Sequence, residues 1–568
     1  MHAVPVIPPA TLSALRAVLV AAPFTPAALR DMWGVDVDDA LTRNNAAPAR
    51  WFLRRRASQH SASLHGASLH GAAEVPSPPG TPLAVLASLF VLAEPVDRQR
   101  LSTLLGEDLL AALVDAGLLV PADTADLQGA SGAGDHTALR SVLALGAYPV
   151  PVGVPRGEAA GDDHLYLFSD FGTLVTDGPL DGGFVLGIGG AGRTLADITP
   201  RHRVDRALDL GTGCGIQALL LARHAGHVVA TDVSARALDI TRLNAGLEGV
   251  ALGPAGEGHL ELRPGSMFEP VPETFDLVVA NPPFVITPQG HTETLEYRDG
   301  GAAGDGIVRT LLEGTRAHLS PDGEAVYLGN WEVGGDRTGP ETWPAGDDLT
   351  VMVVERESMS PVQYAETWIR DGGVVRAGRR WETDHTAWLD DFTARDVEEI
   401  TFGWIRLHRM PEPGAVSESG EGTTGAVARA PRHREVITGA LGANPAGTAA
   451  YLDMRLGLLE WVERADDAEL LGTAFLRSPD VVEHRHLVPG DENPTVITLD
   501  QGAGFARSFE ADPALAGLVG VADGSLTLGA VVVALAHLLE VEESALTAQL
   551  LDQVRRLVPA GVLLPAGE

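Results

Sequence analysis

The sequence predicts an α/β protein in which mainly helical modules flank a central domain built on a doubly wound, mostly parallel sheet. Between residues 201 and 410, short apolar runs alternate with segments of helical spacing, and this alternation implies parallel strands joined by crossover helices. Two of the apolar runs also end in glycine- or proline-rich turns, Gly211-Thr212-Gly213-Cys214-Gly215 and Asn281-Pro282-Pro283-Phe284. In such sheets ligands bind at the carboxyl ends of the strands, so both turns are expected to line one site.

The predicted elements of the central domain follow one another in regular order. We expect five strands, at residues 207–210, 228–231, 260–263, 275–280 and 324–328, and helices at 216–225, 235–247 and 307–319. Ser320-Pro321-Asp322-Gly323 is expected to end the last helix. Two further strands, 349–355 and 402–409, flank helical segments near 360–371 and 383–393, and this pair suits an antiparallel edge. The prediction is a seven-stranded sheet.

Residues 1–136 are predicted to form an N-terminal module. Residues 1–60 show helical spacing, and residues 57–80 carry a tandem Ser-Leu-His-Gly followed by Pro, Gly and Ser, which predicts a disordered insertion. Residues 81–122 show the order of a winged helix: helix, break, two helices and a short strand. The third helix of this unit has three acidic residues and no arginine, whereas DNA reading needs donors. Docking is therefore the favoured role.

The strongest basic cluster of this half is Trp51-Phe52-Leu53-Arg54-Arg55-Arg56. Three consecutive arginines beside aromatic residues are typical either of a solvated helix face or of a nucleic-acid contact. Both interpretations stay open at this point.

The remaining organisation consists of linkers, a lead-in and a second module. Residues 123–136 are a Gly/Asp/Ser linker, and residues 137–200 form a β-rich lead-in expected over the cofactor site, ending in the bend Gly189-Gly190-Ala191-Gly192-Arg193-Thr194. Residues 411–434 form a Gly/Ser/Pro linker. Residues 435–568 have 20 acidic residues against 7 Arg and repeat the pattern of 81–122, which predicts a second winged-helix-like module suited to docking or a protein partner.

Composition narrows the function classes. The net charge is −35, and all 41 basic residues are arginine, which argues against broad phosphate binding without excluding a local basic groove. Cys214 is the only cysteine, so no intrachain disulfide is expected and its role is packing. The start has no basic n-region, and no run of 18 apolar residues occurs. We therefore expect a soluble cytoplasmic protein without a membrane or metal partner.

The residues at the strand ends predict the chemistry of a cofactor. Asp232 ends the second strand and is placed to accept both hydroxyls of a ribose. Asp209 precedes the glycines, where it would hold a ligand ammonium, directly or through water, and would repel a pyrophosphate. A ligand with a ribose and an amino-acid end describes S-adenosylmethionine. The expected cofactor-binding residues are Arg193, Thr194, Asp209, Gly211, Thr212, Gly213, Gly215, Asp232, Val233, Ser266, Met267 and Asn281.

With Asp209-x-Gly211-x-Gly213-x-Gly215, Asp232 and the Asn-Pro-Pro-Phe turn, residues 180–410 resemble the class I S-adenosylmethionine-dependent methyltransferases of the Asn-Pro-Pro-Phe/Tyr branch. That branch includes release-factor glutamine, ribosomal-RNA guanine-N2, tRNA adenine-N6 and DNA adenine methyltransferases. The resemblance implies a Rossmann-like methyltransferase sheet and methylation of a planar nitrogen. The arrangement as a whole is similar to actinobacterial methyltransferases with flanking modules, from which no substrate is carried over.

The Asn-Pro-Pro-Phe turn supplies the expected catalytic residues Asn281, Pro282, Pro283 and Phe284. A planar nitrogen is a poor nucleophile because its lone pair is delocalised. The Asn281 side-chain oxygen and the Pro282 carbonyl would accept its N–H groups, and the prolines stiffen the turn. Phe284 would stack on the target. The remaining substrate residues are expected to be Tyr297, Arg298 and Gly300 of the following glycine-rich loop, and Trp331.

Two classes of methyl acceptor fit these residues. An exocyclic base amine of RNA is the main hypothesis, supported by Phe284, the winged-helix-like modules and a set of arginines: Arg201, Arg203, Arg206, Arg376, Arg379 and Arg380. A glutamine amide in a protein or peptide is the alternative, and the acidity of the chain favours it. A small-molecule amine stays open, whereas the intact Asp209, Asp232 and Asn281 argue against a non-catalytic scaffold.

Overall fold

The computed structural model describes residues 2–64, 81–122, 138–155, 163–176, 181–283, 285–288, 304–372, 374, 376, 378–411, 429–490 and 492–566. Within these residues, an eight-stranded sheet forms the centre, and four smaller sheets lie outside it. The modules are described below in chain order.

The N-terminal region is helical, as predicted. Its elements are α1 (Pro9–Ala21), α2 (Pro26–Trp33), α3 (Val35–Thr42), α4 (Ala47–Leu64), α5 (Pro82–Phe90), β1 (Val96–Asp97), α6 (Arg98–Leu105), α7 (Glu107–Asp115) and β2 (Leu119–Pro121). The predicted start of a disordered insertion at residue 57 is wrong, because α4 continues to Leu64 and the first helix breaker after it is Gly66. Residues 65–80 lie outside the described residues.

The lead-in contains less β-structure than expected. It comprises β3 (Ala138–Ser141), the antiparallel pair β4 (Ala144–Pro149) and β5 (His164–Ser169), and α8 (Gly190–Ile198). β3 lies between β1 and β2, so the sheet of the N-terminal module extends past the predicted boundary at residue 136. The expected glycine-rich bend at residues 189–194 is instead the first turn of α8.

The central domain follows the predicted alternation closely. Its elements are β6 (Val204–Leu210), α9 (Ile216–Leu221), β7 (Ala225–Asp232), α10 (Ala235–Leu247), β8 (Leu260–Pro264), β9 (Phe275–Ala280), α11 (Gly306–His318), β10 (Leu319–Val333), β11 (Leu349–Met359), α12 (Pro361–Asp371), α13 (Arg379–Ala394) and β12 (Glu399–Arg409). The predicted turn at residues 320–323 is absorbed into β10, where the pairing with β9 shifts register between Leu319 and Glu324. The chain therefore passes from α11 into β10 without a separate loop.

The central sheet has the order β13-β11-β12-β10-β9-β6-β7-β8, where β13 is Arg432–Val436. β8, β7, β6, β9 and β10 run parallel to one another, and β12 runs antiparallel between β10 and β11. The fold is thus the predicted Rossmann-like sheet, with one antiparallel strand. The predicted antiparallel pairing of the last two strands, β11 and β12, is confirmed. The expectations of seven strands and of an edge position for this pair are wrong, because β13 adds a parallel eighth strand beside β11.

The C-terminal module contains α14 (Thr448–Arg464), α15 (Asp467–Gly472), β14 (Ala474–Arg477), β15 (Val481–His486), β16 (Val496–Gln501), β17 (Ser508–Ala511), α16 (Pro513–Val521), β18 (Asp523–Thr527), α17 (Leu528–Leu539), α18 (Glu543–Leu557) and β19 (Leu563–Pro565). The order α16-β18-α17-α18-β19 repeats α5-β1-α6-α7-β2, as the sequence pattern suggested. The middle strand of its sheet is β14, which precedes these helices, whereas β3 follows them in the N-terminal module. The sheet β15-β16-β17 was not foreseen.

The modules share their hydrophobic cores with the central sheet. One cluster of buried side chains runs from Ile7 and Leu12 through Val228 of β7 to Leu456 and Phe505 of the C-terminal module. The approach of α1 to α10 is close, since a Cβ added to Gly246 would lie 2.7 Å from Leu12 Cδ1. The predicted modules are therefore packed parts of one structure.

Buried charges attach the C-terminal module to the sheet. Arg455 of α14 is paired with Glu435 of β13, and both side chains are buried. His408 Nδ1 of β12 lies 2.7 Å from a carboxylate oxygen of Glu460 on α14. These contacts join the last helical module to the edge that β13 completes.

Among the described residues, no single helix is long and apolar enough to cross a membrane. Taken together, α1 and α2 have the length and apolar composition of a membrane-spanning helix, but the two helices are bent by 47° relative to each other.

Candidate functional site

The glycine turn lies where three neighbouring strands end. β6 pairs with β7 on one side and β9 on the other, so the turns after these strands meet at one edge of the sheet. The backbone N–H groups of Gly211 and Thr212 both donate to the Thr231 carbonyl at 2.9 Å. The turn after β6 is thereby fixed to the end of β7.

The three glycines of the turn have positive φ values, 72° at Gly211, 57° at Gly213 and 88° at Gly215. Among the described residues, a Cβ at Gly211 or Gly213 would meet nothing within 4 Å, so the described part of the chain leaves open space above these two positions. A Cβ at Gly215 would lie 2.9 Å from Thr241 Cγ2 of α10. The first two glycines therefore leave room for a ligand, and the third allows close packing of helix and turn.

Asp209 lies beneath the turn. It is buried, and its carboxylate accepts a hydrogen bond from the backbone N–H of Ala218 at 3.0 Å. Burial raises the pKa of Asp209 to about 7, against the lowering effects of Thr212 and of the Ala218 N–H. The expected contact with a ligand ammonium, directly or through water, stays a prediction. Asp209 holds the start of α9 against β6.

Asp232 connects the turn to the next crossover. Its carboxylate accepts hydrogen bonds from Gly213 N and Ser234 N, each at 2.9 Å, and its carbonyl accepts one from Gly265 N at 3.0 Å. The carboxylate therefore lies at the glycine turn, where the contact with ribose hydroxyls is predicted. The neighbouring Val233 side chain is exposed.

Ser266 and Met267 follow β8, beside the end of β7. Met267 adopts the left-handed region with φ 50°, and its side chain packs against the cluster that contains Leu208 and Val229. The pair thus lies at the same edge of the sheet as the glycine turn, in agreement with its predicted place.

Arg193 and Thr194 belong to α8, which lies against α9. The Gln217 side-chain amide donates to the Gly192 carbonyl at 2.8 Å, and this bond fixes the start of α8 beside the start of α9. Arg193 is exposed and Thr194 is half-buried. The lead-in therefore does reach the glycine turn, although through a helix.

Asn281 is the first residue after β9, and Pro282 behind it is buried. The Asn281 side-chain oxygen is buried and has no hydrogen-bond partner among the described residues. A buried acceptor without a donor is costly, so this oxygen is a candidate acceptor for an N–H group. The Thr231 hydroxyl at the same sheet edge also lacks a partner within the described part of the chain.

The segment after the prolines is held by Tyr364 of α12. The Tyr364 hydroxyl accepts hydrogen bonds from the Ile286 backbone N–H and from the Asn330 side-chain amide, both at 2.9 Å. Tyr364 is buried, and its ring lies between 5.7 and 6.1 Å from the rings of Trp368, Trp388, Phe392 and Phe402. The two helices inserted between β11 and β12 therefore support the turn from behind.

Several predicted site residues are not brought to this edge. Trp331 is buried in the sheet, where a Cβ at Gly403 would lie 2.4 Å from its ring, so it packs in the core and does not wall an open cleft. Phe284, Tyr297, Arg298 and Gly300 lie outside the described residues. Of the arginines expected to favour RNA, Arg206 pairs with Glu273 at 2.9 Å, Arg376 with Glu366 at 2.9 Å and Arg380 with Asp384 at 3.4 Å.

Sequence reasoning missed Asn244 and Tyr364. Asn244 of α10 is buried, and its amide donates to the carbonyls of Cys214 and Phe168 at 2.8 and 2.9 Å. It thereby joins the glycine turn to β5. The signal that could have identified Asn244 is an asparagine among the apolar residues of a helix, which predicts a buried polar contact. Tyr364 offered no comparable signal. Burial raises the pKa of Cys214 to about 11, which agrees with its predicted packing role.

The segment that carries the site matches a family model. Residues 188–338 match the model described as "Methyltransferase small domain". Residues 21–129 and 454–565 match two models described as domains of unknown function, DUF7059 and DUF7782. The resemblance of the central domain to methyltransferases is thus confirmed for the segment that carries the glycine turn and the Asn-Pro-Pro turn.

Curated relatives match the same part of the chain. The sequence is 38% identical over 139 residues to a release factor glutamine methyltransferase of Xylella fastidiosa, covering 23% of this chain and 48% of the relative. It is 34% identical over 148 residues to a ribosomal protein uL3 glutamine methyltransferase of Bradyrhizobium diazoefficiens (24% and 44%). It is 30% identical over 138 residues to a ribosomal RNA small subunit methyltransferase C of Escherichia coli (24% and 34%). The chain spans about half the length, or less, of these relatives.

Solved structures similar to the chain include an rRNA methylase from Streptococcus thermophilus, at 13% identity and TM-score 0.21, covering 39% of this chain and 94% of that one. A ribosomal protein L11 methylase from Lactobacillus delbrueckii has 18% identity and TM-score 0.18, with coverage of 37% and 70%. At such scores the assignment of the fold rests on the strand order and the family match.

Proposed function

We propose that this protein is an S-adenosylmethionine-dependent N-methyltransferase that acts on a planar nitrogen. The observation that carries the proposal is the buried side-chain oxygen of Asn281 at the end of β9, which has no hydrogen-bond partner within the described parts of the chain. It lies one strand away from the glycine turn at the end of β6. An acceptor for N–H groups beside a nucleotide-type turn is the arrangement that methyl transfer to an amide or base amine requires.

The residues present fit the cofactor. The open space above Gly211 and Gly213 would admit its amino-acid part, and the Asp232 carboxylate would accept the ribose hydroxyls. Met267 would pack beside the adenine. Bound there, S-adenosylmethionine supplies an electrophilic methyl group on a sulfonium.

The chain's own residues would bind and orient the acceptor. The Asn281 oxygen and the Pro282 carbonyl accept its N–H groups, and this holds the lone pair out of conjugation and toward the glycine turn. The same two acceptors stabilise the positive charge that develops on the nitrogen, so catalysis is mainly alignment and electrostatic stabilisation. Phe284, which lies outside the described residues, retains its proposed stacking role.

The first candidate for the acceptor is an exocyclic base amine of RNA. One relative of the chain is named as a ribosomal RNA methyltransferase. The arginines around Trp51 on α4 form a local concentration of positive charge on a chain that is acidic as a whole.

The second candidate is a glutamine side-chain amide of a protein. The relatives of higher identity are named as glutamine methyltransferases of a release factor and of a ribosomal protein. The net charge of −35 also favours a partner other than a polyanion. In either case we propose that the terminal modules dock the partner, and a cytoplasmic location stays a prediction.

The proposal is tested by transfer of tritiated methyl groups from S-adenosylmethionine to fractionated lysate. We expect counts with the wild-type protein and a loss of at least a hundredfold with Asn281→Ala, while Asn444→Ala in the C-terminal module serves as the matched control. Equal counts with Asn281→Ala would refute the role of the Asn-Pro-Pro turn.

The acceptor class is read from the labelled fraction. Label that is lost on ribonuclease treatment and recovered in a methylated nucleoside identifies RNA, whereas label that survives ribonuclease and is recovered as methylated glutamine identifies the protein alternative. Label in a small, protease- and nuclease-resistant molecule would overturn both.

A further inference from the structure

A cationic surface with an exposed tryptophan lies on α4, in the N-terminal module. Ala47, Arg50, Trp51, Arg54 and Arg55 line a shallow cavity of about 520 Å³. We call these residues the α4 patch. They occupy two successive turns of the helix, at spacings that place them on one side.

Trp51 forms the centre of the α4 patch. Its side chain is 57% exposed, and the Arg55 guanidinium carbon lies 5.2 Å from the centroid of its ring. The cation thus lies over an aromatic face that is open to water. An indole ring arranged in this way offers a flat surface on which a second planar group stacks.

Ion pairs with Glu94 hold two arginines of the α4 patch in place. Glu94, which follows α5, lies 2.9 Å from Arg50 Nε and 3.4 Å from Arg54 Nη2. Three guanidiniums and one carboxylate leave an excess of two positive charges among these four side chains. The Arg54 side chain is nevertheless 64% exposed, so Glu94 orients the arginines without covering them.

We propose that the α4 patch binds single-stranded RNA, with a base stacked on Trp51 and the adjoining phosphates paired with the arginines. This inference rests on the proposed function, because it selects RNA as the class of acceptor. Alternation of an exposed indole with guanidiniums fits a nucleic-acid strand, which carries planar bases and phosphates together. An acidic peptide would engage the arginines but would gain little from the indole.

The α4 patch also resolves the conflict between an RNA partner and the acidity of the chain. Phosphates are repelled by a surface with a net charge of −35, so an RNA strand must be attracted at a place where positive charge is concentrated. The third helix of the winged-helix-like unit, α7, has Glu107, Asp108 and Asp115, and does not offer such a place. Recognition is therefore expected on α4 and not on α7.

The test is fluorescence anisotropy of a labelled single-stranded RNA of mixed sequence, titrated with the full-length protein at several salt concentrations. We expect Trp51→Ala and Arg55→Glu each to weaken binding at least tenfold. Only Arg55→Glu should also lower the slope of log affinity against log salt, because only this change removes a phosphate contact. Arg242→Ala, an exposed arginine of α10 paired with Asp239, is the matched control and should bind as the wild type does.

The outcomes separate the two proposals. Absence of RNA binding, or binding that both α4 variants leave unchanged, overturns the α4 patch, and methyl transfer to RNA in the same preparation would leave the proposed function standing. Binding that depends on Trp51 without any methyl transfer supports the α4 patch and counts against the proposed function. An acidic peptide could also bind the α4 patch more tightly than RNA does, displace the labelled RNA and bind equally well to Trp51→Ala. That result would assign the surface to a protein partner and overturn the proposal. Since Trp51 is exposed, the melting temperature of Trp51→Ala verifies that folding is intact.

Discussion

The hydroxyl of Tyr364 lies 2.9 Å from the backbone nitrogen of Ile286, and this bond connects an inserted helix to the turn that follows β9. Tyr364 belongs to α12, which the chain reaches only after two further strands. The bond therefore fixes a turn by a residue 78 positions away in the sequence. It makes the placement of Asn281 dependent on packing of the α12–α13 pair.

Removal of this hydroxyl is the first prediction. Tyr364→Phe leaves the Ile286 N–H and the Asn330 amide without their acceptor in a buried place, which costs about 1–3 kcal/mol of stability. We expect methyl transfer to fall at least tenfold in kcat, with an unchanged affinity for S-adenosylmethionine, because the glycine turn is not touched. Hydrogen exchange of the peptide that contains Ile286 should become faster.

The matched control is Tyr451→Phe, which removes another buried tyrosine hydroxyl, bonded to the Ala560 carbonyl at 3.2 Å in the C-terminal module. It should lower stability and leave kcat unchanged. Equal losses of kcat in the two variants would show that Tyr364 acts through stability alone.

The glycine turn permits a prediction from a pair of substitutions. Gly215→Ala places a methyl group 2.9 Å from Thr241 at a φ of 88°, so we expect a loss of stability of about 2 kcal/mol or more. Gly213→Ala places its methyl group in open space at a φ of 57°, and should reduce stability less. Its main effect should be a weaker affinity for S-adenosylmethionine. Calorimetric melting and cofactor titration of both proteins check the comparison, and a reversed order would contradict the assigned roles of the glycines.

Asp209 predicts how stability depends on pH. Burial raises its folded-state pKa from the ordinary 3.8 to about 7. At a pH between these two values, Asp209 is ionised in the unfolded chain and protonated in the folded chain. Its contribution to the free energy of unfolding therefore decreases as pH rises and is lost once pH passes about 7. Asp209→Asn keeps an oxygen that can accept from Ala218 N and removes this titration.

We therefore expect the melting temperature of wild type to fall relative to that of Asp209→Asn as pH is raised from about 5 to about 8. Asp239→Asn, an exposed aspartate of α10, should follow the wild type throughout. A constant difference between wild type and Asp209→Asn over this range would mean that Asp209 is ionised throughout it.

The attachment of the C-terminal module gives a fourth prediction. The Arg455 guanidinium is buried, pairs with Glu435, donates to the Pro559 carbonyl at 2.6 Å and lies 4.6 Å from the Phe505 ring centroid. Arg455→Met leaves the Glu435 carboxylate with one fewer partner in a buried place, and we expect a loss of about 3–5 kcal/mol. Denaturant unfolding followed by tryptophan fluorescence measures it.

The double variant Arg455→Met, Glu435→Gln should recover part of that loss, because it removes the buried carboxylate charge that would otherwise keep Arg507, at 3.1 Å, as its arginine partner. A double variant as unstable as the sum of the single variants would show that the two side chains do not act as a pair.

The sequence by itself determined the parallel strands of the central sheet and the positions of the glycine turn and the Asn-Pro-Pro turn. The strand at 275–280 and the helix at 235–247 were predicted with the same bounds that β9 and α10 have. Their apolar residues have the spacing of buried elements, and polar or glycine residues mark where they end. The residues of the glycine turn, Asp232 and Asn281 were found for the same reason, since each lies where a buried strand stops. The local sequence pattern is sufficient to predict an element, or a residue at its end, that lies within one continuous segment.

Only the tertiary structure decided what distant segments do to one another. β13 was divided between the predicted linker, which ended at residue 434, and the C-terminal module. Its five residues, most of them charged, have no strand pattern until they lie beside β11. Asp209 became buried because α9 closes over it, and Trp331 because Gly403 leaves space for its ring. Tyr364 and Asn244 support the site through contacts 78 and 30 residues away. Such contacts depend on how elements pack, and packing is set by the shapes of surfaces that no single stretch of sequence contains.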